Sequence, residues 1–124
     1  MALTNVLYID RDERARVQAA EFFSAKKRYH LDTAQDYKDA LKYIKKTNYD
    51  LMILEYDNLS SAFVVQFTHK RGGLHAVVLS DNERIRSSLQ SSGIANAPKT
   101  PLSKNLETIT GAYENGTLRK LGLQ

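Results

Sequence analysis

Four short stretches carry the side chains that chemistry would need. Asp10-Arg11-Asp12 follows the apolar run Val6-Leu7-Tyr8-Ile9, Glu55-Tyr56-Asp57 follows Leu51-Met52-Ile53-Leu54, Ser80 follows Val77-Val78-Leu79, and Lys99 stands between Pro98 and Thr100-Pro101. An uninterrupted apolar run closed by a polar residue reads as a strand buried on both faces that presents that residue at its carboxyl end. One acid in such a place ordinarily begins a solvated loop. Two acids at the ends of two neighbouring strands make a crevice that either holds a cation or pairs with nearby bases. The chemistry therefore depends on which strands lie side by side.

The elements around these stretches alternate strand and helix. After Ile9, Asp12 is placed to cap a helix whose apolar residues Ala15, Ala19, Phe22 and Phe23 form one stripe, ending between Ser24 and Lys27. Tyr29 to Thr33 reads as a weaker, edge-type strand. Tyr37, Ala40, Leu41 and Ile44 recur at helical spacing with Lys38, Lys42, Lys45 and Lys46 opposite, which predicts a second helix before the Leu51 to Leu54 strand. A third helix is expected through Ala62, Phe63, Val64 and Phe67, stopped by Arg71-Gly72-Gly73. His75 to Ser80 is a fourth strand, Asp81-Asn82-Glu83 opens a fourth helix carrying Ile85 and Leu89, and Ile94 to Ala97 is a short fifth strand. Pro98 to Ser103 is expected as a loop. Leu102, Leu106, Ile109 and Tyr113 then mark the fifth helix, which Asn115-Gly116 ends. Five strands alternating with five helices predict an α/β fold, a single doubly wound (βα)5 domain with a flavodoxin-like parallel sheet in the order 2-1-3-4-5. In that order Asp10 and Glu55 face one crevice at the switch point, with Ser80 beside them. Residues 1–116 form the domain, and 117–124 read as a tail or the start of a linker. No internal repeat or low-complexity segment stands out.

Composition narrows the classes. A chain of 124 residues with no cysteine excludes disulfides and thiolate metal sites, and His30, His69 and His75 are too dispersed for a transition-metal centre. No signal-peptide pattern opens the sequence and nothing approaches the length of a membrane span, so a cytoplasmic protein is expected. The formal charge is +4, from 18 Lys+Arg against 14 Asp+Glu. Those cations are scattered rather than gathered in one tract, which favours ordinary solvated helix faces over a nucleic-acid surface.

Taken in order, the stretches resemble the receiver domain of bacterial two-component response regulators, over residues 5–114. The family pattern has an acidic pair after the first strand, a phosphate-accepting Asp after the third, Thr or Ser after the fourth, and Lys before Pro after the fifth. The matching stretches are Tyr8-Ile9-Asp10-Arg11-Asp12, Asp50 to Glu55, Val77-Val78-Leu79-Ser80, and Pro98-Lys99-Thr100-Pro101-Leu102. Against that pattern Glu55 stands at the acceptor position, one methylene longer than Asp, and Arg11 stands where the family has a direct Mg²⁺ ligand. Ser80 matches the hydroxyl. The lysine position falls on Lys99 or Thr100, and Ala97 stands where the family carries an aromatic switch residue.

The resemblance implies a pseudo-receiver, a non-enzymatic signalling module with a degenerate acidic pocket of Asp10, Arg11 and Asp57 around Glu55. It would act through a protein partner or another domain of a longer chain, without a cofactor. Glu55, carrying a permanent charge, either imitates part of a phosphorylated state or makes a plain salt bridge with Arg11 or Lys99. The face that receivers use for partners or homodimers, formed by the fourth helix, fifth strand and fifth helix, corresponds to Arg84, Arg86, Gln90, Asn96 and Lys104. The alternative is a working phosphorelay receiver that still takes phosphate from a histidine kinase with Mg²⁺.

Overall fold

The computed structural model describes residues 3–56 and 75–122. Five parallel strands, β1 (Thr4–Ile9), β2 (Tyr29–Ala34), β3 (Leu51–Glu55), β4 (His75–Leu79) and β5 (Asn96–Ala97), form one sheet in the order β2-β1-β3-β4-β5. The described helices are α1 (Glu13–Ser24), α2 (Tyr37–Ile44), α3 (Glu83–Ser91) and α4 (Leu102–Glu114), followed by a 3₁₀ turn at Leu118–Lys120. The helix expected through Ala62 to Phe67 lies outside the described residues.

Alternation along the strands sorts the side chains into two cores. Val6, Tyr8, Leu51, Ile53, Val77 and Leu79 face one side, where Ala15, Ala19 and Phe23 of α1 and Leu102, Leu106 and Ile109 of α4 close over them. Leu7, Ile9, Met52, Leu54, Ala76 and Val78 face the other, under Ala40 and Ile44 of α2 and Leu89 of α3. Both faces of the central strands are thus dry, which is why they read as continuous apolar runs.

The helix starts follow their capping chemistry. Asp12 accepts the Arg14 N–H, Asp36 accepts the Asp39 N–H, and Asn82 accepts from Arg84 and Ile85. Two boundaries differ from the sequence expectation. The fifth strand is only Asn96–Ala97, because the Ile94 N–H turns back to the Leu89 carbonyl at the end of α3. The last helix begins at Leu102 rather than beyond Ser103, since Pro101 serves as its cap residue and its carbonyl receives the Asn105 N–H.

Candidate functional site

Register brings the acids together. Ile9 of β1 lies opposite Leu54 of β3, so Asp10 and Glu55, each one residue further on, reach the same level at the carboxyl edge of the sheet. Leu79 of β4 lies opposite both Glu55 and Ala97, which places Ser80 and the loop carrying Lys99 at that edge too.

Asp10 is the most enclosed member, its side chain wholly out of solvent. Its Oδ1 accepts the Asp12 N–H at 2.9 Å and its Oδ2 accepts the Tyr8 hydroxyl at 2.7 Å, a buried contact beneath the crevice. Lys99 Nζ stands 3.0 Å from the same Oδ2 and also contacts Glu55 Oε2, so one ammonium bridges the two carboxylates. Lys99, not Thr100, supplies the cation. Burial alone would lower the Lys99 pKa, but hydrogen bonds to Glu55 and Asp10 outweigh it and the net shift is upward. Glu55 is pushed up by burial and by the nearby Asp10, against the opposing pull of Lys99. Burial, reinforced by Asp10, also holds the Tyr8 phenol far above its ordinary range.

Asp81, which the sequence places only at a helix start, anchors the loop that carries Lys99. Its Oδ1 accepts the backbone N–H groups of both Lys99 and Thr100 at 2.9 Å, and its Oδ2 accepts the Thr100 hydroxyl at 2.7 Å. Desolvation raises the Asp81 pKa, but these donors more than offset it and the carboxyl sits below its usual range. Asp81→Ala is expected to cost about 1 kcal/mol and to speed amide exchange at Lys99 and Thr100 about tenfold, read by NMR. Because the folded-state pKa is lowered, this anchoring is present above about pH 4 and lost as pH falls through the folded value.

The turns after β1 and β4 share one construction. In the first, Asp10 Oδ1 accepts the Asp12 N–H, Asp12 accepts the Arg14 N–H, and Arg16 Nη1 donates to the Asp10 carbonyl at 2.7 Å. In the second, Ser80 Oγ accepts the Asn82 N–H, Asn82 accepts the Arg84 N–H, and Arg86 Nη1 donates to the Ser80 carbonyl at 2.6 Å. Asp10-Arg11-Asp12-Glu13-Arg14-Ala15-Arg16 and Ser80-Asp81-Asn82-Glu83-Arg84-Ile85-Arg86 are therefore a local repeat, seven residues long, that flanks β3 on both sides. Two polar matches and the shared Glu-Arg-x-Arg ending carry the likeness.

The remaining site residues divide. Arg11 is exposed on the turn after Asp10, and Asp57 lies outside the described residues. Of the face named for partners, Arg84, Gln90 and Lys104 are exposed, whereas Arg86 is half-buried. Asn96 is a correction: it is fully buried, its Nδ2 donating to Gln90 Oε1 and to the Ile94 carbonyl, because the chain beyond Gly116 covers it. His30 and His75 are exposed, and His69 lies outside the described residues. Among the described residues no three His, Asp or Glu side chains are grouped to hold a metal ion, and no helix is long and apolar enough to cross a membrane.

No protein-family model matches the sequence, and no curated protein matches it. Solved structures do. The RcsB response regulator of Salmonella typhimurium, in a structure concerned with its conformational dynamism for DNA interaction, superposes with a TM-score of 0.80 at 13% identity, over 100% of this chain and 64% of that one. The chain thus spans under two thirds of that regulator. The non-phosphorylated receiver domain of RcsB from Escherichia coli superposes with a TM-score of 0.80 at 14% identity, covering 94% of this chain and 96% of that one. An atypical orphan response regulator, described as having a phosphorylation-independent regulatory mechanism, gives 0.75 at 20% identity over 98% and 100% of the two chains. At these identities the likeness is one of architecture, and it agrees with the strand order described above: the fold of this chain is the response-regulator receiver fold.

Proposed function

We propose that this domain is a signal-transduction module that works by protein contact without being phosphorylated. The observation that carries the reading is the Lys99 ammonium bridging Asp10 and Glu55. A divalent cation needs several oxygen ligands free to turn toward it. Here one carboxylate is fully enclosed and engaged by Tyr8, Asp12 and Lys99, the other is held by the same lysine, and a permanent cation, Arg11, follows Asp10 directly. That donor set suits an internal ion pair better than Mg²⁺, and no catalytic step is assigned to it. The longer Glu55 side chain adds to this, because in-line phosphoryl transfer depends on positioning.

The orphan regulator with the same fold supports a phosphorylation-independent mode by analogy. The partner is a protein or another domain of a longer chain, in the cytoplasm. Arg84, Gln90 and Lys104 offer the contact surface, and a homodimer through that face is one form of it. The competing reading, a receiver still accepting phosphate with Mg²⁺, draws on Ser80 and Lys99 lying at the same sheet edge as the two acids.

Intact mass after incubation with Mg²⁺ and acetyl phosphate decides between them. The native chain is expected to gain no phosphoryl mass, while the double variant Arg11→Asp, Glu55→Asp gains one phosphoryl group. Phosphorylation of the native chain would overturn the proposal.

A further inference from the structure

Among the described residues β2 is the outermost strand on its side of the sheet. The Thr4 and Asp10 N–H groups bond the Arg28 and Ala34 carbonyls, so by alternation the even-numbered residues of β2 turn their backbone groups toward β1, and Leu31 and Thr33 turn theirs outward. An edge of this kind is a template for another strand. A groove of about 430 Å³ runs along it, lined by Ala20, Phe23 and Ser24 of α1, Leu31 and Thr33 of β2, and Tyr43 of α2. The edge is thus recessed between two helices, which suits a lone extended segment better than the helix-covered edge of a second copy.

The two walls of the groove differ. On the α1 side Tyr29 and Leu31 pack with Phe23 against the core, which makes that wall apolar. On the α2 side Tyr43 stands with a polar cluster, in which the Tyr49 hydroxyl donates to Asp32 Oδ2 at 2.6 Å and His30 Nε2 lies 3.4 Å from Oδ1. A strand laid between them would meet apolar and polar surroundings at alternate residues, the pattern by which added strands are recognised. Charge at one end narrows the choice. Lys27 and Arg28 lead into β2, and α2 runs back along the sheet so that Lys45 and Lys46, in the turn that ends it, lie at the same end. All of these cations are exposed; Glu21 and Glu114 offset part of their charge, and the balance stays positive.

We infer that the β2 edge binds an extended acidic segment of a partner protein by strand addition along Leu31 and Thr33. Alternate apolar side chains of that segment lie against the Phe23 wall, and its acidic end lies over Lys27, Arg28, Lys45 and Lys46. The inference rests on the contact-based reading above and adds a second surface with the chemistry of its ligand. Phosphoryl uptake in the mass experiment would overturn that reading alone, whereas the outcomes below bear on the edge alone.

NMR titration of the native chain tests it with two capped peptides of alternating valine and threonine, one with a pair of glutamates at its amino end and one with the pair at its carboxyl end. At about ten times its Kd, one of the two is expected to slow amide exchange at Leu31 and Thr33 roughly tenfold. Versions with lysine in place of glutamate are expected to bind at least about tenfold more weakly, as is the glutamate peptide to an Arg28→Glu, Lys46→Glu variant. Thr33→Pro, which removes an outward N–H and leaves the bonds to β1 in place, is expected to abolish binding while the Leu7 and Met52 amides keep their shifts. If that variant does not fold, the charge variant decides. The proposal is overturned if neither glutamate peptide binds below about 1 mM, or if binding leaves Leu31 and Thr33 exchange unchanged. Equal binding of the lysine peptides or by the charge variant overturns it too. A thymidine oligonucleotide that binds the same cations more tightly than the peptides would make this a nucleic-acid surface, and protection of Leu31 and Thr33 that rises with protein concentration alone would make it a contact between copies; either result overturns it.

Discussion

Lys99→Met is expected to destabilise the domain at neutral pH by about 3 kcal/mol, roughly 10 °C in Tm, measured by urea or thermal unfolding. Methionine keeps the length of the lysine stem, so the loss isolates the charge. Without the ammonium, the buried Asp10 carboxylate faces Glu55 with only Tyr8 and the Asp12 N–H to stabilise it. Removing one partner of a buried ion pair costs more than the pair contributes net, because the other charge stays desolvated. The sign of the pH dependence follows from Glu55. Its folded-state pKa is already raised with Lys99 present, and losing Lys99 removes an opposing pull. A group with a raised folded pKa contributes stability below its unfolded value, about 4.3, and loses it as pH rises through the folded one. The deficit of Lys99→Met should therefore shrink as pH is lowered toward 4. Glu55→Gln is the control, expected within about 1 kcal/mol of the native chain, since the fold does not favour ionised Glu55. A constant deficit across that range would show that the lysine acts by packing alone.

Alkaline unfolding is the second large effect. Tyr8 is fully buried and Tyr49 nearly so, and burial pushes both phenols well above their ordinary value, with Asp10 and Asp32 adding to it. The unfolded chain releases these protons near pH 10 and the folded chain does not. Raised folded-state values mean stability that is present below about pH 10 and lost above it. By pH 12, about two units above the free phenol value, the two phenols together contribute a loss on the order of 5 kcal/mol. Lys99, also raised, acts in the same direction. Such a sum approaches the whole stability of an ordinary domain. The share of tyrosinate absorbance that belongs to Tyr8 and Tyr49 should rise in one cooperative step that coincides with loss of far-UV circular dichroism. Tyr8→Phe should move that step to higher pH relative to its own neutral stability. Titration of all seven tyrosines with no part of the signal tied to unfolding would contradict the burial of Tyr8 and Tyr49.

The strand order and the meeting of Asp10, Glu55 and Lys99 were legible in the sequence because each depends on a pattern with one physical cause. Strands buried on both faces must be apolar throughout, and the residue that ends such a run lies at the sheet edge. Helix stripes were equally plain where one face is dry, as at Tyr37 to Ile44. Less legible was anything decided by a single hydrogen bond across the chain. Asp81 looks like a helix-start residue, and only the fold shows it bound to the loop beyond β5. The burial of Asn96 was missed because a polar residue in a short edge strand reads as solvated, and the cover comes from residues outside the expected domain. The twin turns were visible as letters, Glu13-Arg14-Ala15-Arg16 beside Glu83-Arg84-Ile85-Arg86, yet seven residues are too few to weigh until both arginines are seen on strand-end carbonyls.

The span of the Lys99 bridge has a consequence for how the molecule comes into being. Glu55 and Lys99 are separated by 44 residues, and Asp10 lies earlier still, so the bridge closes one of the longest loops in the chain. Loop-closure entropy must be met before such a contact returns anything, whereas β1, α1 and β2 meet through nearby sequence. Closing the crevice is thus expected late in folding, with a φ-value near zero for Lys99→Met. Interactions that form after the transition state govern how fast a protein comes apart and leave the rate of assembly almost untouched. For this domain, loss of the charged edge is therefore expected to shorten the lifetime of the native state more than it slows the approach to it.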